Sequence, residues 1–406
     1  MRVLFIDGVG PFGGASRSLY EVIRAMPEGS VEAYFVVARG TILPYYRELA
    51  RDVIATVGLT RFDNTRYSHY RGIRWLVLLR ELFHLPFTIV AILQAKRRWK
   101  RVDVLHANEI TEIVPLLIAR RVFKAPIVVH VRSLARTADR SLRWKWLNAR
   151  LKAADAVIAI DQNVRDTLPA DVKVDVIHNS FTAERTRDPD ATMQGLLEKL
   201  RPTSLKVGFI GNLHLSKGVF DLLEAARIVR AAGRDVEFVV VGGATRGDRG
   251  LKGWLLEKIG LAQDVQAKVL DRIKAYRMTE TFHLLGATGD ILSVYDRIDI
   301  LCFPSHFDAP GRPMLEAAVA GVPCIAAVSD PRSDTLVHGE TGLAVPVQDP
   351  AKLADAIQYF ADNPGEVARM GENARKLAER NFDARMNAKK LLAVYARVAG
   401  AGRAEV

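Results

Sequence analysis

The sequence contains very little cysteine. Among its 406 residues there are two, Cys302 and Cys324, and each lies in an apolar, strand-like run. So small a number excludes a disulfide framework and a cysteine-based metal cluster. The N-terminal apolar run also lacks the length of a signal peptide, because the acidic Asp7 and several glycines follow it closely. These absences predict a cytoplasmic protein that is not exported.

The sequence also lacks low-complexity segments and internal repeats. Hydrophobic residues make up 49% of the chain and charged residues 26%, which is the composition of a folded protein. A single hydrophobic core stops growing at about 250–300 residues. The length of this chain therefore predicts two domains.

Basic residues exceed acidic ones, and the formal net charge is +12. A charge of this sign favours an anionic partner: nucleic acid, an anionic membrane surface or a phosphate-rich substrate. The alternative is a basic surface that serves solubility. Because the sequence has no helix-turn-helix, zinc-finger or RNP pattern, we do not expect nucleic acid as a partner.

Apolar runs alternate with amphipathic stretches in both halves of the chain, as in βαβ units. This pattern predicts two successive Rossmann-like α/β domains. Strands are expected at 3–6, 33–37, 102–105, 127–129 and 156–160, and again at 205–211, 236–241, 282–285, 298–303 and 322–327. The predicted domains are 1–182 and 205–380, joined by a polar linker at 183–204. We expect a C-terminal helix, 381–406, to pack back towards the first domain.

Residues 71–101 combine apolar bulk with basic residues at both ends. Charged residues and Pro86 interrupt the apolar run, so a spanning helix, which needs about 20 mostly apolar residues, is not expected. An interfacial helix pair would bury its apolar side at the acyl boundary of an anionic membrane. The alternative is an ordinary helix of the sheet domain. A second basic and aromatic stretch, 140–146, slightly favours peripheral membrane contact.

Two glycine-rich turns follow predicted strands and precede predicted helices. The first has the spacing of a dinucleotide-binding turn, but Pro11 lies inside it and no carboxylate follows the second strand to hold a ribose. What remains is the pair Gly13 and Gly14, which lets a ligand approach the backbone at a helix N-terminus. The second turn, Gly211 to Gly218, carries Lys217. A lysine at a helix N-terminus can neutralise a diphosphate, although a lysine at such a position is often only a loop residue.

Two carboxylates, Asp308 and Glu316, stand eight positions apart across a predicted strand-loop-helix junction. This spacing, the small-residue helix after it and the glycine turn at 339–346 resemble the E-x7-E signature region of retaining GT-B glycosyltransferases of family 4. The resemblance covers nearly the whole chain. It implies the GT-B fold, in which two Rossmann-like domains face each other across a donor-binding cleft.

The resemblance also implies the chemistry of the site. Glu316 would accept hydrogen bonds from the ribose of a nucleotide-sugar donor, Asp308 from the transferred sugar, and His130 would face that sugar from the first domain. Carboxylates suit hydroxyl groups because charged hydrogen bonds are roughly twice as strong as neutral ones. The catalytic residues expected are His130, Lys217, Asp308 and Glu316. The donor-binding residues expected are Gly13, Gly14, Gly211, Asn212, Lys217, Ala309, Pro310, Gly311, Arg312 and Glu316.

The implied reaction moves a hexose, with retention of anomeric configuration, from a nucleotide-diphosphate sugar to a glycan or lipid-linked acceptor. Synthesis of cell-envelope or extracellular polysaccharide is the expected setting. Neither a metal nor a cofactor is expected beside the donor. The metal-binding D-x-D of the other large glycosyltransferase fold is matched at 188–190, but a proline lies at its centre, so we assign it to the linker. His106 and His178 are expected to be structural.

The chain departs from the family pattern at two positions. Asp308 stands where family members usually have glutamate, and Asn212 where they usually have arginine. We expect Arg312 to compensate in part for the missing charge beside the diphosphate. These departures keep a catalytically silent binding subunit open as an alternative, while the carboxylate spacing argues against a GT-B-like nucleotide-sugar epimerase. The segment 244–281 has no assigned role.

Overall fold

The structure, a computed structural model, describes residues 1–67, 70, 75–136, 141–183, 189–243 and 265–404. It divides into two compact units. The first comprises Met1–Thr182 together with Asn381–Val406, and the second comprises Ala183–Arg380. Most of the insertion 244–281 and the first residue of the 188–190 motif lie outside the described residues.

The first unit is built on a parallel sheet with the strand order β3-β2-β1-β4-β5-β6-β7. Its central strands are buried on both faces, which is the pattern expected for a parallel sheet covered by helices. The strands are β1 (Arg2–Asp7), β2 (Glu32–Ala38), β3 (Asp52–Thr56), β4 (Val104–Ala107), β5 (Ile127–Val131), β6 (Ala156–Ala159) and β7 (Val174–Val176). The helices between them are α1 (Gly14–Arg24), α2 (Leu43–Leu49), α3 (Val77–Trp99), α4 (Ile113–Phe123), α5 (Leu142–Lys152) and α6 (Gln162–Asp166).

The second unit contains a parallel sheet with the order β10-β9-β8-β11-β12-β13. Its strands are β8 (Leu205–Ile210), β9 (Val236–Val241), β10 (Phe282–Gly286), β11 (Ile300–Phe303), β12 (Cys324–Ala327) and β13 (Gly342–Val345). Its described helices are α7 (Ala191–Leu197), α8 (Val219–Ala231), α9 (Val265–Ala275), α10 (Ile291–Tyr295), α11 (Arg312–Ala320), α12 (Pro350–Asp362) and α13 (Pro364–Asn381).

The C-terminal helix α14 (Ala384–Ala404) belongs to the first unit. Leu391, Val394 and Tyr395 are buried in the same core cluster as Phe5 and Ile158 of the sheet. The hydroxyl of Tyr395 also lies 2.6 Å from Nδ1 of His106. The end of the chain is therefore part of the core of its first unit.

Three sequence-based assignments need correction. The segment 183–204 is not simply a linker, because Met193 and Leu197 on α7 are buried in a core cluster of the second unit. Residues 77–99 form one continuous helix and not a helix pair. Pro86 removes one backbone hydrogen bond, and the remaining bonds and the packed face carry the helix through it. Strands β3, β7 and β13 were not predicted, because each is short and only partly buried.

Each sheet has one position at which the strand order reverses. In the first unit this position lies between β1 and β4, and in the second between β8 and β11. In open parallel sheets, ligands bind outside the carboxyl ends of the strands at such a switch point. The loops that follow these four strands are therefore where the fold places a site.

Candidate active site

The loop after β8 and the loop after β11 are joined by direct contacts. The amide of His306 donates to the carbonyl of Ser216 over 2.9 Å, and Nε2 of His306 lies 2.7 Å from Oδ2 of Asp221 on α8. Gly218 has a φ of 76°, and a Cβ there would lie 1.8 Å from the carbonyl oxygen of Pro304. Glycine is therefore required for the two loops to approach each other.

Lys217 lies at the end of a short 3-10 turn, directly before α8. Its ammonium is 5.1 Å from the centre of the Phe307 ring, and among the described residues it forms no ion pair. Burial lowers the pKa of the Lys217 ammonium. A half-buried cation without a protein counter-ion is suited to an anionic ligand such as a diphosphate.

Glu316 lies on α11 and is buried. Its Oε1 accepts a hydrogen bond from Nε of Arg312 over 2.7 Å, and its Oε2 accepts one from the hydroxyl of Tyr295 over 3.1 Å. The tyrosine hydroxyl also lies 3.1 Å from the carbonyl oxygen of Pro313. The protein thus holds both carboxylate oxygens in place, and each can accept a further hydrogen bond.

Asp308 adopts a left-handed backbone conformation with a φ of 48°. Its Oδ1 accepts a hydrogen bond of 2.7 Å from the amide of Ser329. Strained conformations of this kind cost about 1–3 kcal/mol and cluster at ligand sites. Ala309, Pro310 and Gly311 complete the turn into α11, and a Cβ on Gly311 would lie 2.3 Å from the Phe303 ring.

Asn212 and Arg312, the residue expected to compensate for the charge missing at Asn212, differ in their surroundings. Asn212 is exposed after Gly211, and its side chain makes no hydrogen bond within the described part of the chain. Arg312 is largely buried and uses Nε to bind Glu316. Part of the Arg312 guanidinium is therefore engaged by Glu316, and partial compensation by Arg312 beside a diphosphate stays a prediction.

His130 is the sequence-predicted catalytic residue of the first unit, and it lies buried on β5. Its Nδ1 is 3.3 Å from Nη2 of Arg132, and its Nε2 has no hydrogen-bond partner among the described residues. Burial, with the nearby Arg132 and His106, holds the pKa of His130 well below its usual range. The imidazole is therefore neutral near pH 7 and has one nitrogen available.

The other histidines that we considered have partners in the core. Burial lowers the pKa of His106 to about 3, and its Nδ1 contacts Tyr395 as described above. The ring of His178 packs against that of Phe382, with centroids 5.8 Å apart.

Asp190 caps α7 by accepting from the amide of Met193 over 3.0 Å. Among the described residues, no group of three or more His, Cys, Asp or Glu side chains is arranged to hold a metal ion.

The remaining predicted residues of the first unit, Gly13 and Gly14, are exposed at the N-terminus of α1. The structure thus brings together the predicted residues of the second unit on two adjoining loops, while His130, Gly13 and Gly14 belong to the first unit.

Sequence reasoning missed Arg132 and Tyr295. Arg132 could have been noticed as a charged residue at the end of an apolar strand, whereas no local pattern marks Tyr295.

Two family descriptions match the chain, one for each half. The description "Glycosyltransferase Family 4" matches residues 12–185, and "Glycosyl transferases group 1" matches residues 198–377. The chain belongs to glycosyltransferase family 4. The second match includes Lys217, Asp308 and Glu316, and the first includes Gly13, Gly14 and His130.

Curated relatives are similar to this family member over much of its length. A glycogen synthase of Mycobacterium tuberculosis (strain CDC 1551 / Oshkosh) is 24% identical over 307 residues, which are 71% of this chain and 66% of the relative. The lipopolysaccharide core biosynthesis mannosyltransferase LpsB of Rhizobium meliloti (strain 1021) is 25% identical over 73% of this chain and 81% of its own length.

Among solved structures, HepE from Anabaena in complex with UDP has a TM-score of 0.74 at 20% identity and covers 98% of this chain and 100% of its own. The same protein in complex with UDP-glucose has a TM-score of 0.73. At this identity the likeness concerns the fold. The family member described here therefore has a GT-B fold built from two parallel-sheet α/β domains.

Proposed function

We propose that this protein is a retaining glycosyltransferase that moves a hexose from a nucleotide-diphosphate sugar to a glycan or lipid-linked acceptor. The observation that carries this proposal is the pair of loops at the β8/β11 switch point. One loop holds the ammonium of Lys217, which forms no ion pair within the described part of the chain, and the other leads to the buried carboxylate of Glu316. A donor of this class combines the two groups that such a site would bind, a diphosphate and a ribose diol.

In the proposed complex, Lys217 and the amides at the start of α8 neutralise the diphosphate. Glu316 accepts from the ribose hydroxyls with the lone pairs that Arg312 and Tyr295 leave unused. Asp308 accepts from hydroxyls of the transferred sugar. No metal is needed to balance the leaving group in this scheme, since the positive charge comes from Lys217 and the helix N-terminus.

The proposed transfer breaks the bond between the anomeric carbon and the diphosphate oxygen, and the nucleoside diphosphate leaves with the electron pair. The acceptor hydroxyl oxygen forms its bond to the anomeric carbon on the same face. Its proton passes to the departing phosphate oxygen, so the reaction needs no other reactant. The family resemblance supports a catalytic role for the neutral His130.

The donor to test first is UDP-glucose, because HepE, which has a similar fold, has been solved with it. The name of the LpsB relative concerns the core of lipopolysaccharide, which supports cell-envelope or extracellular polysaccharide synthesis as the setting. We place the protein in the cytoplasm.

Peripheral contact with an anionic membrane is part of the proposal. By length and composition, α3 is the helix in the described part of the chain that would be able to cross a membrane, with a mean hydropathy of 1.5. One of its faces is packed inside the unit at Ala91, Ile92 and Trp99. The opposite face carries apolar side chains that are between 47% and 62% exposed, namely Leu79, Leu82, Phe83, Val90 and Leu93.

The charge near this face complements anionic lipid. Arg97, Lys100 and Arg101 are exposed at the C-terminal end of α3. Each basic residue near an anionic bilayer contributes about 1 kcal/mol of attraction. An apolar face beside such a cluster favours a helix that lies in the membrane interface while its other face stays packed on the sheet.

The deciding experiment measures binding and slow hydrolysis of nucleotide sugars by the purified protein, starting with UDP-glucose and extending to other bases and sugars. We expect one donor to bind, and Lys217→Ala and Glu316→Gln each to weaken its binding at least about tenfold. Lys352→Ala is the matched control, because Lys352 is exposed and already pairs with Asp355 at 3.1 Å.

Two other outcomes would change the assignment. If no donor binds to the wild type, a catalytically silent binding subunit becomes the better account. If a donor binds and its sugar is epimerised without transfer, the epimerase alternative replaces the transferase. Retention is tested by determining the anomeric configuration of the product by NMR.

A further inference from the structure

Arg132 directly follows β5 in the first unit, and its side chain is buried. The hydrogen bonds of its guanidinium within the described part of the chain reach two asparagines and one histidine, and none of them reaches a carboxylate. Taking a cation out of water is costly unless it is paired with an anion. Stability alone therefore does not explain a buried guanidinium that is held by neutral groups.

The two asparagines fix the plane of this guanidinium. Nε of Arg132 donates to Oδ1 of Asn108 over 2.8 Å, and Nη1 donates to Oδ1 of Asn179 over 2.6 Å. The amide nitrogen of Asn108 in turn donates to Oδ2 of Asp7 over 3.0 Å, which keeps the amide oxygen turned towards Arg132. Asn108 follows β4 and Asn179 follows β7, so the carboxyl ends of three strands hold the arginine in one orientation.

In this orientation Nη2 of Arg132 lies 3.3 Å from Nδ1 of His130, two residues earlier in the chain. Burial lowers the pKa of Arg132 to about 10, so the guanidinium is charged near pH 7. A guanidinium has only N–H donors, and Nδ1 must therefore present its lone pair. A neutral imidazole carries one proton, and the hydrogen bond at one nitrogen decides which nitrogen has it. The proton of His130 therefore lies on Nε2.

The Nε2–H group of His130 is left without a partner. The nearest described aromatic ring is that of His106, with its centroid 5.4 Å from that of His130. Nδ1 of His106 is itself engaged by the hydroxyl of Tyr395. Nε2 of His130 is buried and has no hydrogen-bond partner among the described residues. A buried N–H group in this state lowers its free energy when a ligand oxygen accepts from it.

We propose that Arg132 is a positioning residue that fixes the proton of His130 on Nε2, so that His130 donates a hydrogen bond to an oxygen of the transferred hexose. This inference rests on the proposed function, because it assigns a role in sugar transfer. It also excludes His130 as a base, since Nδ1 is engaged by Arg132 and Nε2 is already protonated. The proton of the acceptor hydroxyl passes to the departing phosphate oxygen.

The first test reads the tautomer directly in the full-length protein, with ¹⁵N in the histidine rings. Two-bond proton–nitrogen correlation spectra show which ring nitrogen carries the proton, and His130→Ala identifies the signals of His130. Arg132→Met removes the donor and keeps much of the side-chain length. Tyr395→Phe is the matched control, because it removes a buried contact of 2.6 Å to the neighbouring His106.

We expect wild-type His130 to carry its proton on Nε2 near pH 7. Arg132→Met should displace the Nδ1 resonance, because that nitrogen loses its donor, and should let the tautomer with the proton on Nδ1 appear. Tyr395→Phe should displace the resonances of His106 and leave the tautomer of His130 unchanged. A role of Arg132 in packing alone would not produce this difference between the two variants.

The second test measures hydrolysis of UDP-glucose, or of the donor that binds in the nucleotide-sugar panel, at saturating donor. We expect His130→Ala to slow hydrolysis by about a hundredfold, the usual effect of removing one hydrogen-bond donor at a reacting centre, and Arg132→Met by at least about tenfold. Because Arg132 acts through His130, the double variant should be no slower than His130→Ala alone.

A wild-type His130 with its proton on Nδ1 overturns the inference, and this result needs no variant, so it is available even if Arg132→Met does not fold. An Nδ1 resonance that Arg132→Met leaves in place, or losses that multiply in the double variant, also overturn it. Donor binding together with any of these results removes this inference alone. If no donor binds to the wild type, the proposed function fails and the role in transfer fails with it.

Discussion

Nε of Arg312 donates to Oε1 of Glu316 over 2.7 Å, one helical turn along α11, and both side chains are largely buried. Together with the Tyr295 hydroxyl on the other oxygen, this contact orients the carboxylate without a ligand. A nucleotide-sugar donor that binds here meets a Glu316 carboxylate that is already oriented to accept its hydrogen bonds. Binding therefore costs less conformational entropy of that side chain.

Replacing Arg312 with alanine should leave the Glu316 carboxylate buried without its cation. We expect the free energy of unfolding to fall by about 3 kcal/mol, since removal of one partner of a buried pair is strongly destabilising, and donor affinity to fall with it. Chemical denaturation and donor titration measure the two effects. The double variant Arg312→Met with Glu316→Gln should regain stability but not donor binding. Unchanged donor affinity in Arg312→Ala would show that Arg312 does not position Glu316.

Tyr295→Phe removes one hydrogen bond to Glu316 and leaves the ring in place. We expect donor affinity to fall by about tenfold or more, since a hydrogen bond to a charged carboxylate contributes about 1.5–3 kcal/mol. Tyr359→Phe in the same unit is the control, because Tyr359 also donates to a glutamate, Glu366, at 3.0 Å, but on an exposed surface. Equal effects of the two substitutions on donor affinity would contradict the assignment.

Gly218→Ala and Gly233→Ala separate backbone strain from steric conflict. The φ angles are similar, 76° and 72°, but a Cβ at Gly218 meets the Pro304 carbonyl at 1.8 Å, whereas at Gly233 nothing lies within 4 Å. We expect Gly233→Ala to cost about 1 kcal/mol and Gly218→Ala to cost more and to weaken donor binding. Thermal unfolding and donor titration test this. The idea fails if both variants lose the same stability and bind donor normally.

Glu112 should make stability fall as pH rises. Burial, aided by Asp7 and Glu109 and opposed by Arg61, raises the pKa of Glu112 from 4.5 to about 8. Between these two pH values the unfolded chain has released a proton that the folded protein retains, so unfolding becomes easier as pH rises. Glu112→Gln should remove this dependence and stabilise the protein at pH 8 by a few kcal/mol, with little effect near pH 4. The free energy of unfolding of the wild type and of the variant is measured from pH 4 to pH 8. A difference between them that does not change with pH would refute the raised pKa of Glu112.

Serine substitutions on α3 test the membrane proposal. We expect Leu79→Ser combined with Phe83→Ser to reduce binding to vesicles that contain anionic lipid by at least about tenfold, because each buried side chain of this size contributes about 1.5–3 kcal/mol. Leu270→Ser, on an exposed position of the second unit, is the control. Vesicle sedimentation at low and high salt measures both the apolar and the electrostatic part. Wild-type binding no stronger to anionic than to neutral vesicles would contradict the proposal.

Much of the fold follows from local sequence patterns. The apolar runs at Val3 to Ile6 and Val236 to Val241 are strands because parallel strands covered on both faces need continuous apolar segments. The glycine turn before Lys217 and the spacing of Asp308 and Glu316 are equally local. Strands such as β7 escaped notice because three half-buried residues carry no periodic signal.

The sequence by itself determined two α/β units, the loop that carries Lys217, the helix that carries Glu316, and the family to which these residues point. It could do so because strand, turn and helix signals act over a few neighbouring residues. Only the tertiary structure decided which distant residues meet. Tyr295 reaches Glu316, Tyr395 reaches His106 across 289 positions, and Asn179 reaches Arg132. Such contacts depend on the order in which strands pair, and hydrophobic periodicity contains no information about that order.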